Sequence, residues 1–207
     1  MYRGLNHGDR CMMRIVLDPG HLHLIDGEYL IPGKRSPKVP PGIYEGEFNR
    51  KVALQVYRTL QQSGYSVFLT VPQDARENVT LADRVAMADD LEADAFISIH
   101  ANAADVPGWS RANGAVIFTG SHTRDPLARG IADGFQTFTS IRLRRGTGVV
   151  SSPRAFYVIR KQLNKRPAVL VECGFMTNRL DAEYMASEGG QKQIAQAIVS
   201  GVYSWAS

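Results

Sequence analysis

The sequence predicts a single three-layer α/β domain, a mainly parallel twisted sheet flanked by helices. Three observations predict it. Short runs rich in β-branched and aromatic residues alternate with segments whose apolar residues recur every three or four positions, the pattern of β-α units. The run RIVLD at 14–18 is apolar on both faces, as a central strand of such a sheet must be. The chain has 207 residues, enough for one sizeable core and too few for two.

The elements follow in order. The opening MYRGLNHGDRCMM has no apolar h-region and reads as a 1–13 tail, which leaves 14–207 as the domain. After the first strand, 22–44 is a long Pro- and Gly-rich stretch, and loops of that length inside a compact domain are usually functional. From Glu45 to Gln62, Phe48, Val52, Val56 and Leu60 mark one face of an amphipathic helix, with Gly64 as its stop. SVFLTV at 66–71 reads as a strand. Thr80 and Asp83 resemble a capping box that opens a helix with Leu81, Val85, Ala88 and Leu91 inward. Strands are expected at 95–100 (AFISIH) and 114–119 (GAVIFT). Asp125-Pro126 starts a helix reaching about Phe138. AFYVIR at 155–160 and PAVLVE at 167–172 complete the strands, and a last helix covers roughly Gly190 to Ser204.

Composition narrows the function classes. Hydrophobic residues make up 44% and charged residues 21%, ordinary for a globular protein. The net charge of +4 and a pI near 9.2 suit an anionic polymer, be it nucleic acid, teichoic acid or peptidoglycan. No long run of like charge marks a nucleic-acid binder. Cys11 and Cys173 form no CxxC pair, so neither a disulfide framework nor a multi-Cys zinc ribbon is expected. No stretch is long and apolar enough to suggest a membrane span. DPGHLHLIDG lacks the glycine pattern of a phosphate loop, which sets a nucleotide-binding domain aside.

Titratable residues collect where strands stop. The first strand runs into His21, AFISIH ends at His100, and PAVLVE ends at Glu172. In parallel α/β sheets, ligands gather beyond the carboxyl ends of the strands. Glu45 and Glu47 open the helix that follows the first strand's exit loop, so one of them reaches the same edge. Two imidazoles and a carboxylate, with a fourth position open, are the ligand set of a hydrolytic zinc site. A further carboxylate, Glu172, then serves as general base.

IVLDPGH, EGEFNRKVALQVYRTL, LADRVAMADDLEADAFISIHANA and RPAVLVECGFMTN resemble the zinc-dependent N-acetylmuramoyl-L-alanine amidases of the Amidase_3 type, from about Arg14 to Ser204. The resemblance implies cleavage of the amide between the lactyl group of N-acetylmuramic acid and L-alanine of the peptidoglycan stem peptide. It also implies one Zn²⁺ per chain, with His21, Glu45 and His100 as ligands and Glu172 as the catalytic carboxylate. In the family the liganding Glu precedes an Asn by four residues, and Asn49 therefore selects Glu45 over Glu47.

Two departures stand out. Leu22-His23-Leu24 and the insertion replace the family's Gly-rich turn, with His23 expected as a rim imidazole. Lys34, Arg35 and Lys38 of that insertion are expected to form one lip of the groove and to contact glycan or stem-peptide carboxylates. Cys173 follows Glu172 and points to the opposite face, as a small buried hydrophobe. Asn178 is expected to cap the next turn, and Arg160 to contact a substrate carboxylate or to form a surface ion pair. The rival functions are a zinc carboxypeptidase acting within the stem peptide and a non-catalytic wall-binding module. Peptidoglycan is the expected partner of a monomer acting at the bacterial cell wall. The missing export signal is expected to reflect either a phage or prophage endolysin, made in the cytoplasm and released, or a trimmed piece of a secreted protein.

Overall fold

The computed structural model describes residues 12–22, 24–29, 34–72 and 74–207. Most of the expected tail, with Cys11, and the expected rim imidazole His23 lie outside the described residues. One six-stranded sheet organises the rest. Its strands are β1 (Arg14–Pro19), β2 (Ser66–Leu69), β3 (Ala95–Asn102), β4 (Val116–Thr119), β5 (Val149–Ser151) and β6 (Ala168–Phe175), in the order β2-β1-β3-β6-β4-β5. All neighbours run parallel except β4 against β6. The sheet is therefore mainly parallel, as expected, with one antiparallel seam.

Among the described residues six helices cover it: α1 (Glu45–Gln62), α2 (Leu81–Asp90), α3 (Pro126–Phe138), α4 (Tyr157–Arg160), α5 (Arg179–Ala186) and α6 (Glu188–Ala206). Strand alternation divides the core in two. Ile15, Leu17, Ile97, Val171 and Cys173 face α1, α3 and α6 in the larger cluster. Val16, Phe96 and Leu170 face α2 and α4 in the smaller one, with Val85 and Ile159. Asp18, Ser98, His100 and Glu172 share the parity of this second set, so they project toward α2 and α4.

Local signals explain most helix ends. The Thr80 hydroxyl accepts from Asp83 N, one half of a capping box, and donates to the Asp83 carboxylate at 2.6 Å in place of the other half. Asp125 accepts from Ala128 N ahead of Pro126, and Asn178 caps α5 by accepting from Leu180 N and Asp181 N. Gly64 takes φ +86 just past α1.

The structure corrects several expectations. AFYVIR is not a strand: its first part turns and Tyr157–Arg160 forms a short helix that buries Val158 and Ile159. A short apolar run bounded by turn residues fits either state, and the place beside β4 is taken by Val149–Ser151 instead. The strand expected over 66–71 stops at Leu69, and the one expected over 114–119 begins at Val116. The segment expected as one last helix is preceded by α5 and extends from Glu188 to Ala206. Leu81 is 53% exposed rather than inward. The 22–44 stretch is less irregular than its composition suggests. Its second half doubles back, with Ser36 N donating to Ile43 O at 2.8 Å and Glu45 N to Lys34 O at 2.9 Å. No helix of the described residues is long and apolar enough to cross a membrane.

Candidate metal centre

The site begins with the way β1 ends. Asp18 is 1% exposed, and its carboxylate accepts from Ser98 Oγ at 2.6 Å, from Arg84 Nη1 at 2.8 Å and from the Thr70 hydroxyl. Arg84, itself buried on α2, also donates to Pro19 O at 2.8 Å. Asn49, one turn into α1 and fully buried, donates through Nδ2 to Gly20 O at 2.8 Å. Two successive carbonyls are thus held from opposite layers of the fold. The next residue, His21, adopts φ +62, a left-handed conformation that non-glycine residues take up only when their surroundings impose it. Gly20 is required for a different reason. A Cβ there would lie 2.0 Å from His100 Cε1, because the imidazole rests on this backbone.

Three side chains converge at this point. Glu45 Oε2 lies 3.4 Å from His21 Nε2, and Oε1 lies 3.1 Å from His100 Nδ1. The two rings meet edge to face with centroids 5.2 Å apart. One donor atom from each residue lies within 4.8 Å of the other two. Glu45 is 2% exposed and reaches this position from the first residue of α1, where Ala101 N also donates to it.

Glu45 and His100 shift each other's titration. Burial pushes the Glu45 carboxyl up, yet hydrogen bonds from His100 and His21, together with their charges, outweigh that and hold it well below the usual carboxylate range. For His100, burial opposes protonation. The hydrogen bond to Glu45 and the charges of Glu172, Glu45 and Asp18 prevail and raise its pKa. Two imidazole nitrogens and one buried carboxylate oxygen form a donor set of the kind zinc accepts, with room left for substrate or water.

Glu172 stands directly beside this cluster. It pairs with His100 in the β3–β6 register, and the pairing shifts just beyond, between His100 and Asn102. β6 runs on to Phe175, so Glu172 sits three residues before the strand ends rather than at its end. Its Oε2 is buried with no hydrogen-bond partner among the described residues. Burial pushes its pKa up to about 7, against the pull of the His100 charge. A carboxylate so placed can both take up and release a proton near neutral pH.

The other expected residues fall as follows. Glu47 pairs with Lys51 at 3.4 Å on the outer side of α1 and takes no part in the cluster. Lys34 is partly buried, and its charge acts on Glu172. Arg35 is exposed and edges a groove of about 380 Å³ with Pro37, Ala103 and Thr177. Arg160 is on α4, not at a strand end, with its guanidinium 5.7 Å from the centre of the Tyr157 ring. Cys173 faces the opposite side of the sheet, and burial drives its thiol pKa well up, which leaves it unreactive. A second cleft, of about 430 Å³, opens beside His21 and His100 between the start of α2 and the Phe156–Val158 segment.

A sequence profile of the N-acetylmuramoyl-L-alanine amidase family Amidase_3 matches residues 15–204. The chain belongs to that family. Among curated proteins it is 34% identical to the uncharacterized protein YqiI of Bacillus subtilis, over 84% of this chain and 80% of that one. It is 33% identical to the N-acetylmuramoyl-L-alanine amidase LytC of Bacillus subtilis over 92% of this chain, yet spans 35% of LytC. Among solved structures it resembles the N-acetylmuramoyl-L-alanine amidase AmiC2 of Nostoc punctiforme, with TM-score 0.74, 30% identity, and coverage of 94% of this chain and 97% of that one. Family members of this kind supply the fold within which the cluster is built.

Proposed function

We propose that the protein is a zinc-dependent N-acetylmuramoyl-L-alanine amidase acting on the peptidoglycan of the bacterial cell wall. It would cut the amide between the lactyl group of N-acetylmuramic acid and L-alanine of the stem peptide. The observation that carries this reading is the convergence of His21, Glu45 and His100 beside Glu172, whose Oε2 is buried with no hydrogen-bond partner among the described residues. Membership of the amidase family supports this bond, which the donor set alone does not: a carboxypeptidase acting within the stem peptide would use the same chemistry.

His21, Glu45 and His100 would hold the zinc. When bound, the ion supplies a Lewis acid that polarises the scissile carbonyl and lowers the pKa of water toward ~7. Glu172 takes the proton of the attacking water on its free Oε2 and delivers it to the departing amine of L-alanine. Its raised pKa suits both halves of that transfer. The turn held by Asn49 and Arg84 keeps the His21 ring facing Glu45.

The test is mass analysis of fragments released from purified sacculi, alongside elemental analysis of the protein. Peptides beginning at L-alanine are expected, with about one zinc per chain, and release should stop in the presence of a chelator. Glu172→Gln should lower turnover by about 10²–10⁴ while retaining the metal. Shortened stem peptides still attached to muramic acid would replace this reading with the carboxypeptidase.

A further inference from the structure

We infer that four arginines, Arg111 on the loop before β4 and Arg142, Arg144 and Arg145 on the turn before β5, form a docking surface for a linear phosphodiester polymer of the cell wall, a glycerol or ribitol phosphate chain of the teichoic-acid type. The choice of a wall polymer rests on the amidase reading above. The surface itself follows from where the chain keeps its positive charge. Residues 134–171 carry eight lysines and arginines and no acidic residue. The rest of the chain holds sixteen cations against twenty acids, so the net charge of +4 resides in this stretch. Some of its cations are engaged. Lys165 and Arg166 meet Asp89 at 2.7 and 3.1 Å, and Arg160 and Lys161 lean over the Tyr157 ring. Among the described residues, Arg111, Arg142, Arg144 and Arg145 form no ion pair.

The backbone brings these four together. A Cβ on Gly114 would lie 3.1 Å from the Cγ atoms of both Arg142 and Arg144, so the two side chains cross the same glycine. Arg144 is held in place, with Nη1 donating to Asn113 O at 3.0 Å and its guanidinium 4.6 Å from the centre of the Phe175 ring. Arg111 stands two residues before Asn113, whose Nδ2 donates to the Arg111 carbonyl at 3.2 Å. Arg111, Arg142 and Arg145 are exposed. Two acids come from α5. Asp181 is buried, with Oδ2 accepting from Gly114 N at 2.7 Å and Phe175 N at 2.9 Å, and the exposed Glu183 pairs with none of the four.

The place and the chemistry suit a long polyanion. β4 and β5 lie on the far side of β6 from β1 and β3, and none of the four arginines lines the cleft beside the histidines or the groove edged by Arg35. Charge often guards an edge strand against pairing. Here, however, β5 itself is uncharged, and the cations gather on the turn that precedes it. A phosphodiester offers two non-bridging oxygens to the guanidinium fork, and a short polyol repeat lets neighbouring arginines each meet an anion.

The experiment measures adsorption of the full chain to two preparations of the same purified walls, one intact and one stripped of phosphodiester polymer with cold hydrofluoric acid. The wild type should bind the intact walls about tenfold more tightly, by a margin that shrinks as salt rises. Arg142→Glu/Arg145→Glu should remove that margin and leave turnover of a soluble disaccharide-peptide unchanged. Arg111→Glu, on a separate segment, should act in the same direction and decides the matter if the double variant fails to fold. Arg58→Glu/Arg129→Glu changes the net charge equally at exposed positions elsewhere and should keep the margin. A margin that survives the substitutions in the cluster, one lost equally in the Arg58/Arg129 control, or slower turnover of the soluble fragment by the cluster variants would overturn the assignment. So would displacement from intact walls by a duplex oligonucleotide at lower concentration than by a glycerol phosphate polymer, which would make the surface a nucleic-acid site. Adsorption needs no turnover: a wild type that releases no peptide beginning at L-alanine strikes the amidase reading, whereas equal adsorption to both wall preparations strikes the docking surface.

Discussion

Asn49 shows how much one buried side chain can decide. Its single hydrogen bond, 2.8 Å to Gly20 O, holds the peptide group that leads into a left-handed His21. Groups that orient a metal-binding histidine typically change affinity by about 10–100-fold when removed. Asn49→Ala should therefore weaken zinc binding to the apo-protein by that factor, read by titration against a competing chelator. An affinity equal to wild type would mean that the turn holds its shape without the clamp. At this scale the sequence was informative about the residues that converge and said less about their supports. His21, His100 and Glu172 announced themselves as titratable residues at or near strand ends, whereas the choice of Glu45 over Glu47 came from the family's register. Asp18 and Arg84 gave weaker signals, since an Asp before Pro-Gly reads as a turn residue and an Arg on an amphipathic helix reads as surface. Their pairing exists only in three dimensions, where α2 meets the end of β1. Arg84 did leave a clue, because it falls within the apolar stripe of its own helix.

At the scale of elements, periodicity identified the long helices and failed on the short pieces. α1 was legible end to end because eighteen residues give the 3.6-residue pattern several repeats. α4 was not: four residues with two buried neighbours, Val158 and Ile159, fit a strand as well as a helical turn. β5 has three residues and no pattern of its own. Contacts between helices were also invisible in the sequence. α3 and α6 approach so closely that a Cβ on Gly134 would lie 2.3 Å from Ala197 O, and one on Gly201 would lie 2.5 Å from Ile131 N. Gly134→Ala thus sets two effects against each other. Helix propensity favours alanine by about 1 kcal/mol, while forcing two backbones apart typically costs about 1–3 kcal/mol. The obstacle is a main-chain carbonyl that cannot rotate away, so the second effect should win. Urea unfolding should show a net loss of stability of up to about 2 kcal/mol, and a gain would mean that the helices slide apart freely.

Across the whole molecule, two buried carboxylates act as joints, and both depend on being charged. Asp18 ties β1 to Ser98 on β3, to Thr70 just past β2 and to Arg84 on α2. Glu45 ties α1 to the ends of β1 and β3 through the two histidines. At Asp18, burial disfavours the charge, but Arg84 and the hydrogen bonds from Ser98 and Thr70 prevail and hold its carboxyl below the ordinary value. Glu45 is held low by the histidines in the same way. A carboxyl whose folded pKa is depressed stabilises the fold fully above its unfolded pKa, about 3.9 for Asp and 4.3 for Glu, and loses that contribution as pH falls through the folded value. Metal-free protein should accordingly hold its unfolding free energy down to about pH 4, as far as these two groups are concerned, and lose it steeply below. Asp18→Asn separates the two joints. At pH 7 it leaves the Arg84 charge buried without its partner, and loss of one member of a buried pair typically costs about 3–5 kcal/mol. Below pH 4 the variant has one fewer carboxylate to protonate, so its stability should fall less steeply than that of the wild type and the two curves should converge. Urea titrations between pH 7 and 3 would measure this directly, and parallel curves over that range would show that Asp18 does not govern the acid limit of the fold.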